Sequence, residues 1–198
     1  MSATLDYYNQ NARSYTSATQ ALDFRSIQEH FLSCMPRPAR ILDFGCGSGR
    51  DTGYFLNRGF QVDAIDGSSE MCRIAGEYTG IPIRQMLFQE LDTVDTYDGI
   101  WACASILHLP KGELSDVFDR MAVALRKNGI LYASFKYGSF EGERNGRHFT
   151  DFTEASFAEF AGGFHKLVIQ EMWISRDVRP EREEERWLNT ILQKSAIR

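Results

Sequence analysis

Long apolar runs, paired cysteines and an excess of positive charge are all missing from this 198-residue chain. No apolar stretch approaches the ~20 residues that a membrane span needs, so none is expected. The four cysteines, Cys34, Cys46, Cys72 and Cys103, form no C-x-x-C and sit in apolar or motif surroundings. That argues against a disulfide framework and against zinc, and it fits a reducing cytoplasm. No other cluster has metal-ligand spacing, so no metal is expected. The formal net charge of −5 argues against a surface coated for nucleic acid, while leaving room for a local basic patch. Met1–Asp6 offers neither a basic n-region nor an apolar h-region, so no secretory signal is expected. With no repeat, low-complexity tract or break in composition, one domain over 1–198 is expected, long enough to bury a core without staples.

What is present centres on Ile41-Leu42-Asp43-Phe44-Gly45-Cys46-Gly47-Ser48-Gly49-Arg50-Asp51. Apolar residues run into an acid, then into glycines at alternate positions, then into a helical run through Leu56. The pattern predicts a buried strand, a tight turn and a helix N-terminus. Such a turn lets a ligand lie against the main chain, with helix N–H groups offering partial positive charge. About 20 residues on, Asp66 ends a second predicted strand, Gln61–Ile65, where an acid can bond a ribose diol. A dinucleotide fingerprint, G-x-G-x-x-G, needs a third glycine where Arg50 stands, which disfavours hydride transfer.

The spacing here, Asp43 followed by G-x-G-x-G, resembles motif I of the class I S-adenosylmethionine-dependent methyltransferases. Three further landmarks follow in the family's order: Asp66, Tyr97-Asp98-Gly99-Ile100-Trp101-Ala102, and Leu125-Arg126-Lys127-Asn128-Gly129-Ile130-Leu131. Together they span roughly residues 40–136. The resemblance implies an α/β fold: a three-layer sandwich with a seven-stranded, mostly parallel sheet, an antiparallel last strand and helices on both faces. It implies S-adenosyl-L-methionine as cofactor. Asp43 and the Gly45–Gly49 backbone, Cys46 and Gly47 included, would hold the amino-acid end. Asp66 and Gly67 would serve the ribose, Phe88 and Gln89 would flank adenine, and the Cys103 or Ala104 carbonyl would approach the methionine end. The family often has an acid after strand three to read the adenine amine; Leu87 stands there, a departure. Arg50 either meets the cofactor carboxylate or caps neighbouring structure.

Residues 1–36 are expected to form N-terminal helices, at about 4–16 and 21–34, the second stopped by Met35-Pro36-Arg37-Pro38. Tyr8, Ala12 and Tyr15 match a leading helix that in the family folds over the cofactor. Two readings stay open: a lid whose Tyr8 or Tyr15 hydroxyl meets cofactor or substrate, or amphipathic packing. Within the core, 40–136, Ser68 or Ser69 should cap a helix containing Met71, and Ile81–Phe88 should be strand three. Strand four, Tyr97–Ala104, leads to His108, which matches a family histidine. It is either a general base or a buttress for its loop. Glu113–Arg126 shows the clearest helical spacing, and strand five should run Gly129–Phe135.

The remainder, 137–198, should form the acceptor side. Lys136–Thr153 reads as a long, glycine-rich, charged loop. Lys136, Tyr137, Arg144 and Arg147 are its candidate substrate contacts, with His148 beside them. Thr153 should cap a helix ended by Gly162-Gly163, and Lys166–Ile174 and Trp187–Lys194 should be the last strands. The charged run between them contains Arg179, which with Arg144 and Arg147 would form a cationic rim for a phosphate or carboxylate, or would simply face water.

The resulting expectation is methyl transfer to a small-molecule nucleophile, anionic if the arginines bind it. No Asn-Pro-Pro-Tyr-like segment follows strand four, which speaks against methylation of nucleobase amines. Two alternatives remain: a methyltransferase acting on RNA or protein through the arginine-rich C-terminal loop, and a cofactor-binding subunit without catalysis. The sequence does not specify the oligomeric state.

Overall fold

A computed structural model describes residues 3–195. Met1, Ser2 and residues 196–198, the outer ends of the expected N-terminal and acceptor-side segments, lie outside the described residues. In chain order the elements are α1 (Ala3–Thr19), α2 (Arg25–Ser33), β1 (Arg40–Phe44), α3 (Arg50–Asn57), β2 (Gln61–Asp66), α4 (Ser69–Thr79) and β3 (Arg84–Gln85). Then follow β4 (Tyr97–Ala102), α5 (Lys111–Ala124), β5 (Leu125–Lys136), β6 (Glu141–Arg144), β7 (Arg147–Thr150), α6 (Glu154–Ala161), β8 (Leu167–Arg176) and β9 (Arg186–Lys194). Single 3-10 turns lie at Phe88–Glu90 and Ile106–His108.

Seven strands form one sheet in the order β3-β2-β1-β4-β5-β9-β8. The strands from β3 to β5 pair in parallel, and β9 runs antiparallel to both its neighbours. The central strands are buried at most positions because both faces are covered. Along β1, β4 and β5, side chains alternate between two cores. Leu42, Phe44, Ile100, Ala102, Leu131, Ala133 and Phe135 pack with Leu114, Val117, Phe118 and Met121 of α5 and Phe157 of α6. Ile41, Trp101, Ile130 and Tyr132 pack on the other side with Phe31 of α2 and Phe55 of α3. The Trp101 and Tyr132 rings stack with centroids 4.1 Å apart. The α4 cap is as expected, with the Ser68 hydroxyl accepting from the Met71 N–H at 3.2 Å.

Several expectations need correction. Strand three shrinks to Arg84–Gln85 at the sheet edge, because Pro82 has no N–H for a ladder and short edge strands are the rule. The second helix starts at Arg25, and Leu22 and Phe24, ahead of it, turn inward to line a cavity. The long charged loop is largely the hairpin β6–β7. Its turn is Asn145-Gly146, with φ of 50° and 75°, a pair that tolerates the left-handed region and matches strand twist.

Candidate active site

The strand order reverses between β1 and β4, and in an open parallel sheet ligands bind outside the carboxyl ends at that point. A cleft of about 870 Å³ opens there. Its floor is the turn from β1 into α3. Gly45 has φ of +90°, and a Cβ on it would lie 2.5 Å from Ser105 Cβ, so only glycine lets β1 and the β4 loop approach this closely. Gly47 has φ of +54°, and a Cβ there would meet only Tyr15, 3.8 Å away.

The Gly47 N–H donates to Asp66 Oδ2 at 2.9 Å and the Ser68 N–H to Oδ1 at 2.8 Å. Asp66 thus fastens the turn to the end of β2 while still lining the cleft. Burial raises its carboxyl above the usual range, opposed by those backbone N–H groups. Asp43, by contrast, is 2% exposed and stays behind the turn instead of lining the cleft. It accepts from the Thr52 hydroxyl at 2.5 Å. Burial, and then the nearby Asp51 carboxylate, raise its carboxyl.

Arg50 and Asp51 are the charged hub beside the turn. The guanidinium grips Asp51 through Nε and Nη2, each at 2.8 Å, and lies 3.7 Å over the Phe24 ring. Asp51 also accepts from Gln28 Nε2 at 2.7 Å and Trp101 Nε1 at 2.8 Å. Burial pushes the Asp51 carboxyl up, but Arg50 and these donors outweigh it and hold the group below its usual range. Of the two readings of Arg50, the structure adds a structural role: its charge is matched by the next residue.

Phe88 and Gln89 both line the far wall, Phe88 packed 4.8 Å from the Phe44 ring and Gln89 bonded to Glu113. Gly67 and Cys46 also line the cleft. Cys103 and Ala104 close it at the end of β4, where Ala104 has φ of 50°. Burial, and then Asp51, push the Cys103 thiol up to about 12, so it stays a neutral wall.

The roof is α1. Tyr8 and Tyr15 meet edge to face at 5.2 Å, and both line the cleft. Asn9 anchors the helix, its Oδ1 accepting from the Ser68 hydroxyl at 2.7 Å. The β7 strand is tied to the same helix by the His148 N–H, which donates to Thr4 Oγ1 at 3.1 Å. His108 joins these pieces. Its Nδ1 lies 2.7 Å from the His148 carbonyl, which only accepts, so Nδ1 carries the proton and Nε2 accepts from the Tyr8 hydroxyl at 2.8 Å. Burial lowers its pKa to about 4. The ring is therefore neutral at neutral pH, with its acceptor nitrogen on Tyr8.

Behind Tyr8 and Tyr15 lies a second cavity of about 110 Å³. It shares Tyr8, Tyr15, Arg50, Cys103, Ala104 and His108 with the cleft. Lys136, Arg147 and Arg179 line it. Tyr137 and Arg144 line neither cavity: Tyr137 is exposed, and Arg144 is bonded to Asp151 at 3.2 and 2.6 Å and lies 3.9 Å over Phe140. The expected cationic rim of Arg144, Arg147 and Arg179 is therefore not assembled as a unit. Sequence reasoning gave no role to Asn9 and Glu113, which belong to no recognisable motif, or to Asp51, which ends the glycine-turn motif; Leu5, on the same helical face as Tyr8, had a signal and also lines the cleft.

The cleft fits an S-adenosyl cofactor on its own features: a glycine cradle, an acidic group at the end of β2, an aromatic wall and a volume suited to a nucleoside. No helix among the described residues is long and apolar enough to cross a membrane. A family model described as a methyltransferase domain matches residues 41–129. An uncharacterised methyltransferase of Staphylococcus carnosus is 25% identical over 161 residues, 77% of each chain. A protein of Bacillus subtilis described as a putative methyltransferase is 27% identical over 150 residues, 70% of this chain and 60% of that one. Among solved structures, the Burkholderia thailandensis 1,6-didemethyltoxoflavin-N1-methyltransferase, with its substrate and S-adenosylhomocysteine bound, superposes with a TM-score of 0.75 at 24% identity, over 96% of this chain and 85% of that one. The motif order read from the sequence, the sheet order and these matches all converge: residues 41–129 carry a methyltransferase domain, the chain has the class I, Rossmann-like methyltransferase fold, and S-adenosylmethionine is the cofactor they support.

Proposed function

We propose that this methyltransferase acts on a small-molecule nucleophile held in the second cavity. The observation that carries the reading is the 110 Å³ space lined by Tyr8 and Tyr15, which is far below the roughly 300–1,000 Å³ of pockets for drug-sized ligands. It meets the donor cleft at Cys103, Ala104 and His108. Asp66 would hold the ribose, Phe88 and Gln89 would flank the adenine, and the Gly45–Gly49 backbone would hold the amino-acid end. When bound, the cofactor would supply an activated sulfonium methyl group to an acceptor lone pair, its sulfur keeping the S–C electron pair while the acceptor gives up a proton.

The chain's own part is positioning and exclusion of water. The α1 roof is pinned over the junction by Asn9 and by the His148–Thr4 bond. Neutral His108 accepts from the Tyr8 hydroxyl at Nε2, so that pair can take up a proton at the junction. Burial raises the Tyr8 hydroxyl far above its ordinary value, so Tyr8 acts as a neutral relay, not as a phenolate.

The test uses methyl-labelled S-adenosylmethionine with three fractions of a cell extract: metabolites, RNA and protein. Label entering the metabolite fraction supports the reading. Label entering only RNA or protein overturns it.

A further inference from the structure

The second cavity is charged unevenly. Arg50, Lys136, Arg147, Arg176, Arg179 and Arg182 line it, against one acid, Asp177. Most of these cations are already matched. Arg50 is paired with Asp51, Arg179 with Asp177, and Lys136 and Arg182 with Glu185. Arg176 is exposed. Arg147 differs from all of them: it is half-buried and has no carboxylate partner among the described residues. Aromatic faces hold it instead, with its guanidinium 4.4 Å from the Tyr7 ring centroid, 5.1 Å from Phe149 and 5.8 Å from Tyr8. Its Nε is shut off from solvent with no hydrogen-bond partner. Its one side-chain hydrogen bond, from Nη1 to the Tyr8 hydroxyl, is long at 3.5 Å. Rings hold a guanidinium in place without neutralising it, so the charge and most of its donors remain available to a ligand.

Resting on the reading of this cavity as the acceptor pocket, we infer that the acceptor carries a carboxylate, bound by Arg147. A guanidinium fork matches a planar carboxylate in two parallel hydrogen bonds. Asp177 does not oppose it, because Arg179 grips it at 2.8 and 2.5 Å and Trp187 Nε1 donates to it at 3.0 Å. Arg147 is one hydrogen bond from Tyr8, and Tyr8 one from His108. An acceptor anchored at Arg147 therefore has its nucleophile only a few bonds from its carboxylate. Arg147 does not line the larger cleft, which separates this role from holding the cofactor's own carboxylate.

The test is calorimetric titration of the protein saturated with S-adenosylhomocysteine. The probes are 3-aminopropanoate, 2-aminobenzoate and 2-hydroxybenzoate, each against its uncharged primary amide, with inorganic phosphate as a further probe. At least one carboxylate should bind about tenfold or more tightly than its amide. Arg147→Met, which keeps the apolar stem, should abolish that preference, and Arg147→Lys should retain part of it. S-adenosylhomocysteine affinity should be unchanged in both variants, which also reports a folded cleft. Binding of the nucleoside without any carboxylate preference, a preference surviving Arg147→Met, or phosphate outcompeting every carboxylate would each overturn the assignment. So would loss of S-adenosylhomocysteine affinity in both variants, which would give Arg147 to the cofactor. Failure of the wild-type protein to bind S-adenosylhomocysteine is a distinct result, and it would remove the reading of the cleft beneath this one.

Discussion

Replacing Asp51 by asparagine strikes the charged hub between the two cavities. The side chains of Arg50 and Asp51 are 18% and 8% exposed. Removing one partner of a buried pair costs about 3–5 kcal/mol, because the other charge is left uncompensated. Here every neighbour of the carboxylate is a donor: Arg50 Nε and Nη2, Gln28 Nε2 and Trp101 Nε1. In the Asp51→Asn variant the new amide nitrogen would have to face one of them. Two effects soften the loss. Phe24 still faces the guanidinium, and the Asp51 charge no longer raises the Asp43 carboxyl. The net expectation is a loss of about 2–3 kcal/mol, or roughly 5–10 °C in Tm for a chain of this size. Urea titration and calorimetry at pH 7 measure it. In an Asp43→Asn background the loss should be larger, since the relief at Asp43 is gone. A loss under about 1 kcal/mol would refute the picture of a pair that water does not screen.

Three further outcomes follow from the same geometry. Asp66→Asn replaces two accepting oxygens by one, where both backbone donors and the ribose need acceptors; S-adenosylhomocysteine affinity should fall about 10- to 100-fold by calorimetry, and unchanged affinity would remove Asp66 from the ribose role. Asp43 binds its proton more tightly folded than unfolded, so its contribution to stability falls as pH rises from the ordinary carboxylate value to about 8. Asp43→Asn should therefore gain at least about 1.4 kcal/mol relative to wild type between pH 5 and pH 8, and a parallel pH dependence in the two proteins would contradict it. Tyr8→Phe removes the bond to His108 Nε2 while leaving the ring against Tyr15. Turnover on the acceptor found by labelling should drop about tenfold or more, with little change in S-adenosylhomocysteine affinity; equal losses in both would make Tyr8 a cofactor contact instead.

The sheet and the donor cleft were largely legible in the residue order, because local rules carry them. Buried parallel strands are mainly apolar, alternate glycines mark a turn pressed against other backbone, and Ser68 and Thr153 announce helix starts. Where a local signal was present but not used, the structure departs from expectation: Asn145-Gly146 marks a hairpin inside what reads as a loop. The acceptor side was not legible in this way. Arg144 and Arg147 stand three residues apart in one hairpin, yet Arg144 reaches Asp151 while Arg147 rests on Tyr7 and Tyr8 of the first helix. Asp43 and Asp51 are both buried acids beside the glycine turn, yet Asp51 gains Arg50, Gln28 and Trp101 while Asp43 has the Thr52 hydroxyl. Partners that lie far apart along the chain decide which charge is neutralised and which stays available. By itself the sequence, through the order of its motifs and the family they resemble, pointed to the fold and the kind of cofactor; only the packing of α1 and the β6–β7 hairpin over the sheet decided which cation is left on aromatic rings without a carboxylate.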